Sequence, residues 1–258
     1  MSKKRSTSTR RAETQAAAAR AAVIREEQER RERRRRSLVV TGVVVVVLAV
    51  ILVVFTALQS RRDDSTSASS AAPAGAVAGL AVPAGRASAP VTVTVYEDFM
   101  CPFCGDFESA SRAAFAEDIA EGKVRFEYHV LSFLDDASST EYSTRAANAL
   151  GVVLDSSGAA VAKRFHDLLF ENQPAENSAG LSDDRLVDLA VESGAKESAV
   201  RSGIDGLAFE GWVEKVTEDA SKADVNSTPT VKVDGRTVAF ETTDELVAEV
   251  QKAVDAGQ

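Results

Sequence analysis

Two cysteines are the residues of this chain whose type and spacing predict chemistry most directly. Cys101 and Cys104 are separated by two residues, and the chain has no other cysteine. Such a pair can cycle between a dithiol and a disulfide and can exchange that disulfide with thiols of another protein. A purely structural disulfide would close too short a loop to stabilise the fold much. A zinc site would need two more ligands, and only His129 and His166 could supplement the pair. We expect His129 to be structural and His166 to face solvent, so the spacing predicts redox chemistry without a metal.

The flanking residues predict that the pair lies where a strand ends and a helix begins. Residues 91–96 are valine, threonine and tyrosine, which favour a strand, and residues 103–120 carry apolar side chains close to a helical repeat. Pro102 suits the first position of a helix. Because the free N–H groups at a helix N-terminus favour a thiolate, Cys101 is predicted to be the attacking sulfur. Cys104, one turn inside, would be the resolving sulfur.

The residues after this helix predict a mixed α/β domain. Residues 124–131 alternate apolar and polar side chains, and a strand–helix–strand order implies a parallel pair of strands. From 135 to 224 the pattern is helical and contains no clear strand. An Asp-Gly dipeptide at 234–235 then predicts a hairpin, and Thr242 with Glu245 predicts the cap of a last helix.

A stretch of 21 residues without a charge, 38–58, divides the chain into two parts of opposite charge. Residues 1–36 hold 13 basic and 5 acidic side chains, whereas residues 37–258 hold 17 basic and 34 acidic ones. As a helix the uncharged stretch would be about 31 Å long, close to the roughly 30 Å of a hydrocarbon core. A cleaved signal peptide usually has a shorter apolar region. The pattern predicts a single-pass membrane anchor with its N-terminus in the cytosol and the remainder outside.

The predicted domain organisation follows from this division. Residues 1–37 form a cytosolic basic leader, which we interpret as a topology signal; contact with anionic lipid is the alternative, and no nucleic-acid partner is expected because the leader lacks aromatic residues. Residues 59–89, rich in Ser, Ala, Gly and Pro, are predicted to be a flexible linker. Residues 90–258 are the predicted catalytic domain, with a helical insertion at about 136–224.

The motifs of this domain resemble those of a known family. The segment 89–104, which ends in Asp-Phe-Met-Cys-Pro-Phe-Cys, and Ser-Thr-Pro-Thr at 227–230 before the hairpin are similar to the DsbA-like thiol:disulfide oxidoreductases of the thioredoxin superfamily. The resemblance covers about residues 85–255, and the membrane-anchored form is typical of Gram-positive bacteria, including actinobacteria. It implies a thioredoxin fold, α/β with a mixed central sheet and an all-helical insertion, preceded by a single transmembrane helix.

The resemblance also implies roles for individual residues. Cys101 and Cys104 would carry out the exchange, and Pro229 would be a cis proline beside the active sulfurs. Thr228 would contact the substrate backbone. Pro102 and Phe103, between the two cysteines, are assigned to substrate binding on the same basis.

Two residues depart from the family pattern at positions that influence the protonation of the cysteines. Phe103 stands where the founding oxidases have a histidine that stabilises the thiolate, and Val95 stands where many thioredoxin-like proteins have a buried acid. Glu97 and Asp98 are close in sequence and are expected to raise the pKa of Cys101. We therefore predict a Cys101 pKa below the free-thiol value of about 8.5 and above the ~3.5 of the strongest oxidases.

These observations lead to one principal functional interpretation and two alternatives. The first is an extracytoplasmic thiol:disulfide oxidoreductase at the cell membrane that introduces disulfides into exported cysteine-containing proteins. The resemblance implies a quinone-linked membrane partner that reoxidises the pair, and no bound cofactor. One alternative uses the same site as a reductase or an isomerase. The other is a tethered client-binding chaperone module in which the disulfide is incidental.

Overall fold

The computed structural model describes residues 71–257 of the chain. These residues form five strands and seven α-helices. The strands are β1 (Val82–Ala84), β2 (Val91–Glu97), β3 (Val124–Val130), β4 (Thr230–Val233) and β5 (Arg236–Thr237). The helices are α1 (Pro102–Glu121), α2 (Tyr142–Ser157), α3 (Ala159–Glu171), α4 (Asp183–Glu192), α5 (Glu197–Asp205), α6 (Glu210–Lys222) and α7 (Thr243–Ala256). A single 3₁₀ turn, Asp135–Ala137, lies between β3 and α2.

The strands form one mixed sheet in the order β1–β3–β2–β4–β5. The central pair, β2 and β3, is parallel, and the other three pairs are antiparallel. In β2, Val93 pairs with Phe126 of β3 on one side and with Val233 of β4 on the other. Buried and partly buried residues alternate along β2 and β3, as expected when the two faces of a strand differ in burial. The predicted parallel pair and mixed α/β fold are confirmed.

The helices lie in two groups. Helices α1 and α7 contact each other, and α1 also contacts α3. The chain between β3 and β4 carries α2 to α6 and contains no strand, so the predicted all-helical insertion is confirmed. Trp212 of α6 lies fully buried in the core, which agrees with its helical spacing in the sequence. The insertion is therefore an integral part of the hydrophobic core.

The start of the described region corrects one prediction. Residues 82–84, which we assigned to the flexible linker, form the edge strand β1, and Val82 pairs with Tyr128 of β3. Ala81 and Val82 are fully buried, and the indole N–H of Trp212 donates a hydrogen bond to the carbonyl oxygen of Gly79 at 3.0 Å. The folded domain thus begins before residue 90. A three-residue strand among Ala, Gly and Pro gives almost no periodic signal, which explains the error.

The predicted leader, the predicted membrane anchor at 38–58 and the first part of the predicted linker lie outside residues 71–257. Within that range no helix is both long and apolar enough to cross a membrane.

The C-terminal elements match their sequence signals closely. The hairpin turns at Asp234 and Gly235, both with positive φ. Thr242 caps α7, its hydroxyl accepting from the N–H of Glu245 at 3.2 Å. The return bond of the capping box is displaced by one residue, because the Glu245 carboxylate accepts from the N–H of Glu241 at 2.7 Å.

Candidate active site

Strand β2 and helix α1 place the two cysteines as predicted. Cys101 is the N-cap of α1 and Pro102 is its first residue. The N–H of Cys101 donates to the carbonyl oxygen of Asp98 at 3.0 Å, which turns the chain from the strand into the helix. Cys101 is 4% exposed and Cys104 is fully buried one turn inside, and both are free thiols. Access to the pair is therefore through Cys101.

The surroundings of the Cys101 sulfur favour its ionised form. The Cys104 thiol, which donates to this sulfur, lowers the pKa of Cys101 most; burial opposes this, and Thr228 and the N–H groups of Phe103 and Cys104 lower the pKa further, to about 6. This value lies in the interval predicted from the sequence. Because the thiolate is the nucleophile in disulfide exchange, Cys101 is mostly in its reactive form near pH 7.

Cys104 has the opposite character. Burial raises its pKa well above the ordinary thiol value, and the Cys101 sulfur and the Glu97 carboxylate raise it further. Cys104 is consequently a neutral thiol at physiological pH. Glu97 and Asp98 were expected to raise the pKa of Cys101, but neither is among its main influences, which are Cys104, burial and Thr228.

The loop before β4 brings Thr228 to the active sulfurs. The peptide bond between Thr228 and Pro229 is cis, as the resemblance implied. The Cys101 thiol donates to the carbonyl oxygen of Thr228 at 3.4 Å. The structure thus brings together Cys101, Cys104 and Thr228, with Pro229 next in the chain.

A groove runs past the Cys101 sulfur at the surface. It has a volume of about 480 Å³. Residues from five separate stretches of the chain line it: Cys101, Phe133, Leu134, Glu176, Ser221, Asn226, Ser227 and Thr228. Phe103 lies on the surface beside the cysteines with 67% of its area exposed, more than any other large apolar side chain in residues 71–257. The groove offers backbone and apolar contacts to an extended polypeptide whose sulfur reaches Cys101.

Asp98 fixes the loop between β2 and α1. One carboxylate oxygen accepts from the N–H of Met100 at 2.8 Å and from the hydroxyl of Ser143 at 2.6 Å. The other accepts from the N–H of Leu134 at 2.9 Å. Burial raises the pKa of Asp98 to about 6 against these hydrogen bonds, which lower it. Asp98 therefore fastens the active-site loop to the insertion, and both of its carboxylate oxygens accept hydrogen bonds.

Gln173, just after α3, is a second link from the insertion, and the sequence did not predict it. Its amide nitrogen donates to the carbonyl oxygens of Phe99 at 3.1 Å and of Cys101 at 2.9 Å. Gly105 faces this amide so closely that a Cβ there would lie 2.3 Å from the Gln173 side-chain oxygen. Nothing in the local sequence around Gln173 pointed to a partner about 70 residues away.

A buried cluster of ionisable groups lies where the end of β2, α1 and α3 meet. His166 of α3 is fully buried, so the prediction that it faces solvent is wrong; it lies one turn from Ala162 and from Leu169, on the buried face of the helix. The His166 Nε2 lies 2.5 Å from Glu97 Oε1, and its Nδ1 lies 3.9 Å from Glu108 Oε2. Both carboxylates are 1% exposed.

The charges in this cluster compensate one another. Burial lowers the pKa of His166, but the carboxylates of Glu97 and Asp167 together outweigh it and raise the pKa to about 9, so the imidazole is protonated at pH 7. Burial and the charge of Glu97 raise the pKa of Glu108 above its ordinary value. Lys163 Nζ lies 4.0 Å from Glu108 Oε2 and forms an ion pair with Asp167.

The same cluster is the grouping in residues 71–257 whose spacing suits a metal ion. Ligand atoms of Glu97, Glu108 and His166 lie within 4.8 Å of one another, and the grouping includes neither cysteine. However, a metal would have to displace the imidazole proton that Glu97 stabilises, and the ammonium of Lys163 already faces Glu108. The donor set therefore fits an ion-pair cluster better than a metal site.

Comparisons with known proteins agree with this site. A family profile described as thioredoxin matches residues 79–256. The crystal structure of reduced DsbA from Mycobacterium tuberculosis has a TM-score of 0.57 and 31% sequence identity, over 69% of this chain and 96% of that chain. Disulfide bond formation protein D of Bacillus subtilis is 29% identical over 171 residues, which are 65% of this chain and 74% of that protein.

A further relative is a larger protein. The serine/threonine-protein kinase PknE of Mycobacterium tuberculosis is 31% identical over 154 residues, which are 57% of this chain and 27% of the kinase. The chain thus spans about a quarter of the length of that relative. The matched family profile covers more than half of this chain, including both cysteines and the cis proline. The chain belongs to the thioredoxin family, and it is a DsbA-like protein.

Proposed function

We propose that this protein is an extracytoplasmic thiol–disulfide oxidoreductase that introduces disulfides into exported proteins. One observation carries the proposal: the two sulfurs have opposite character, a reactive Cys101 that lines the surface groove and a protonated Cys104 that is buried one turn inside the helix. This asymmetry suits a pair in which Cys101 forms the mixed disulfide with the client and Cys104 is the sulfur that Cys101 releases.

The exchange proceeds in two displacements. A client thiolate attacks the Cys101 sulfur of the disulfide, the Cys101–Cys104 bond breaks, and Cys104 leaves as a thiolate that takes up a proton. A second client thiolate then attacks the client sulfur of the mixed disulfide and expels Cys101 as a thiolate. Two electrons pass from the client to the cysteine pair, and the client gains a disulfide.

The stability of the reduced cysteine pair favours electron flow from the client to this protein. A group that stabilises the Cys101 thiolate stabilises the reduced enzyme, and a stable reduced form makes the disulfide a stronger oxidant. The low pKa of Cys101 therefore supports an oxidase over a reductase. Reoxidation would then fall to a quinone-linked partner in the membrane, which restores the Cys101–Cys104 disulfide after each cycle.

The sequence supports a location of the catalytic domain outside the cytosol. The uncharged stretch 38–58, with 13 basic residues before it, supports a cytosolic N-terminus and a catalytic domain on the outer side of the membrane. Disulfides persist in that compartment, whereas cytosolic thiols are kept reduced. Protease added to cells after removal of the wall should degrade the domain, and a protected domain would contradict the proposed topology.

Trapping of clients tests the proposed function. In a Cys104→Ser variant of the full chain, the mixed disulfide between Cys101 and a client cannot be resolved from within. We expect this variant to accumulate mixed disulfides with exported proteins in cells, and the matched Cys101→Ser variant to accumulate none. If a Cys101→Ser/Cys104→Ser double variant keeps full biological activity, the protein is a client-binding module and the redox assignment is wrong.

A further inference from the structure

The groove beside Cys101 contains an acidic side chain. Of the residues that line it, Glu176 is the one that carries a carboxylate. Glu176 is exposed, and its carboxylate forms no hydrogen bond or ion pair with any residue in 71–257. Exposed carboxylates are ionised near pH 7. The groove therefore presents a negative charge that no described residue neutralises.

The backbone on either side of Glu176 is fastened to neighbouring parts of the site. Three residues earlier, the amide nitrogen of Gln173 donates to the carbonyl oxygen of Cys101 at 2.9 Å. One residue later, the N–H of Asn177 donates to the carbonyl oxygen of Ala137, in the 3₁₀ turn after β3, at 2.7 Å. The segment that carries Glu176 is thus held on both sides and forms a fixed wall of the groove.

Charged residues that adjoin other lining residues in the chain have partners of their own. Lys222, which ends α6, pairs with Glu218 at 2.7 Å. Asp135 of the 3₁₀ turn accepts from the N–H of Thr144 at 2.9 Å and from its hydroxyl at 2.6 Å. Residues 71–257 as a whole hold 32 acidic and 15 basic side chains, so the surrounding field has the same sign as Glu176. A cation in the groove would be attracted by Glu176 and by this field.

The remaining lining of the groove is apolar or neutral. Phe133 and Leu134 are partly buried apolar residues that pack against the core, and the other residues have neutral serine, asparagine, threonine or cysteine side chains. Surfaces of this kind accept many different side chains, whereas a carboxylate attracts a basic side chain and repels an acidic one. Glu176 is therefore the lining residue that can select clients by charge.

We infer that Glu176 is a specificity-determining residue that favours clients with a lysine or arginine close to the reacting cysteine and disfavours clients with an acidic residue there. The inference deepens the proposed function and rests on it, because the groove is where a client sulfur would reach Cys101. The client class is an extended polypeptide in which a basic residue lies near the cysteine. Glu176 acts on the approach and binding of this polypeptide, while Cys101 carries out the exchange.

Activated peptides measure this preference on the reduced full chain. Each peptide has uncharged ends and one central cysteine, joined to 2-thiopyridine in a mixed disulfide. Cys101 attacks the peptide sulfur, and the bond between that sulfur and the 2-thiopyridine sulfur breaks. The 2-thiopyridine leaves with the electron pair and takes up a proton as 2-thiopyridone, whose absorbance gives the rate constant. Cys104 then displaces the peptide as a thiolate, which closes the Cys101–Cys104 disulfide without adding to the absorbance.

The peptides differ in one residue, which is lysine, alanine or glutamate, placed in turn at each position from three before the cysteine to three after it. At about 0.1 M salt, where charges beyond about 10 Å are screened, we expect a position at which the lysine peptide reacts about fivefold faster than the glutamate peptide. In Glu176→Gln this ratio should fall below about twofold, and in Glu176→Lys it should reverse. At about 1 M salt the wild-type ratio should decrease, because the Debye length is then about 3 Å.

A matched variant and a neutral reagent separate the groove from other effects. Glu192→Gln removes the same charge at the end of α4, from an exposed residue that does not line the groove, and should keep the wild-type ratio. Each rate constant is divided by that of the same protein with 2,2′-dithiodipyridine, a small uncharged disulfide. A change in the reactivity of Cys101 itself then cancels, and the preference for the peptide remains.

Three results would overturn the inference. One is a lysine-to-glutamate ratio near one at every position in the wild type. Another is a ratio that is equal in Glu176→Gln and the wild type. The last is a loss in Glu192→Gln as large as that in Glu176→Gln, which would assign the preference to the net charge of the domain. A wild type that shows the preference but oxidises no unfolded client protein would refute the proposed function and leave the assignment of Glu176 standing.

Discussion

The Cys101 thiol lies 3.4 Å from the carbonyl oxygen of Thr228, although 127 residues separate them in the chain. The contact joins the start of α1 to the loop that precedes β4. The backbone that adjoins the cis proline is thus placed beside the attacking sulfur, where an extended client would lie. The two parts of the site could be recognised separately in the sequence, and the fold brings them together.

The Thr228 hydroxyl should contribute to the reactivity of Cys101. Thr228→Val replaces the hydroxyl with a methyl group of similar shape, so one group that lowers the pKa of Cys101 is lost. We expect the thiolate absorbance of Cys101 to titrate above the wild-type pKa of about 6. Thr230→Val is the matched control, since its hydroxyl donates to Ser227 and has no contact with Cys101. Equal titration curves for Thr228→Val and the wild type would contradict this account.

Phe103→His should lower the pKa of Cys101 below about 6 and make the disulfide more oxidising. The imidazole adds a donor and a positive charge beside the thiolate, which Phe103 cannot provide. The reduction potential should rise by about 30 mV if the imidazole contributes about 1.4 kcal/mol to the reduced form. Titration against glutathione gives the potential, and Phe103→Leu is the control that should leave it unchanged. A Phe103→His variant with the wild-type potential would show that another group dominates the tuning.

Gly105 lies against Gln173, so we expect Gly105→Ala to change the free energy of unfolding in opposite directions in the wild type and in a Gln173→Ala variant. In the wild type, Gly105→Ala should lower the free energy of unfolding, because the new Cβ displaces the amide that holds the carbonyl oxygens of Phe99 and Cys101. In a Gln173→Ala background the same change should raise it by up to about 1 kcal/mol, since alanine favours a helix over glycine. Urea unfolding of the four proteins measures both effects. The same sign in both backgrounds would refute the claim that Gln173 clamps this turn.

The stability of the reduced form should depend on pH through Cys101. Its folded pKa of about 6 lies below the free-thiol value of about 8.5, so unfolding takes up a proton between these values. The stabilisation is complete above about pH 8.5 and is lost as pH falls through 6. The difference in unfolding free energy between the reduced wild type and Cys101→Ser should therefore be larger at high pH than at low pH. His166 titrates in both proteins and cancels in this difference. A difference independent of pH would contradict the assigned pKa.

The sequence alone was sufficient where a feature is local. Cys101 and Cys104 at the start of α1, the parallel strands on either side of that helix, and the cap at Thr242 all follow from patterns within a few residues. The hairpin turn at Asp234 and Gly235 also follows from a pattern of neighbouring residues. Such features depend on backbone preferences and hydrogen bonds between near neighbours, which the order of residues states directly.

Features that depend on distant packing could not be read in this way. His166 looked exposed between an aromatic and an acidic residue, yet it is buried because Glu97, 69 residues earlier, supplies its partner. Gln173 reaches the carbonyl oxygen of Cys101 across 72 residues. A spacing of helical residues shows which face is buried, but it does not show which polar groups meet there.

The proposed function requires that the Cys101–Cys104 disulfide oxidises client proteins. Its most direct test uses the full chain in the disulfide form, mixed in equal amount with reduced, unfolded ribonuclease A. Alkylation and mass measurement then count the free thiols of both proteins with time. We expect ribonuclease A to gain one disulfide for each Cys101–Cys104 pair that becomes a dithiol, and the Cys101→Ser variant to give no such transfer. Ribonuclease A that stays reduced while the enzyme keeps its disulfide would contradict the claim.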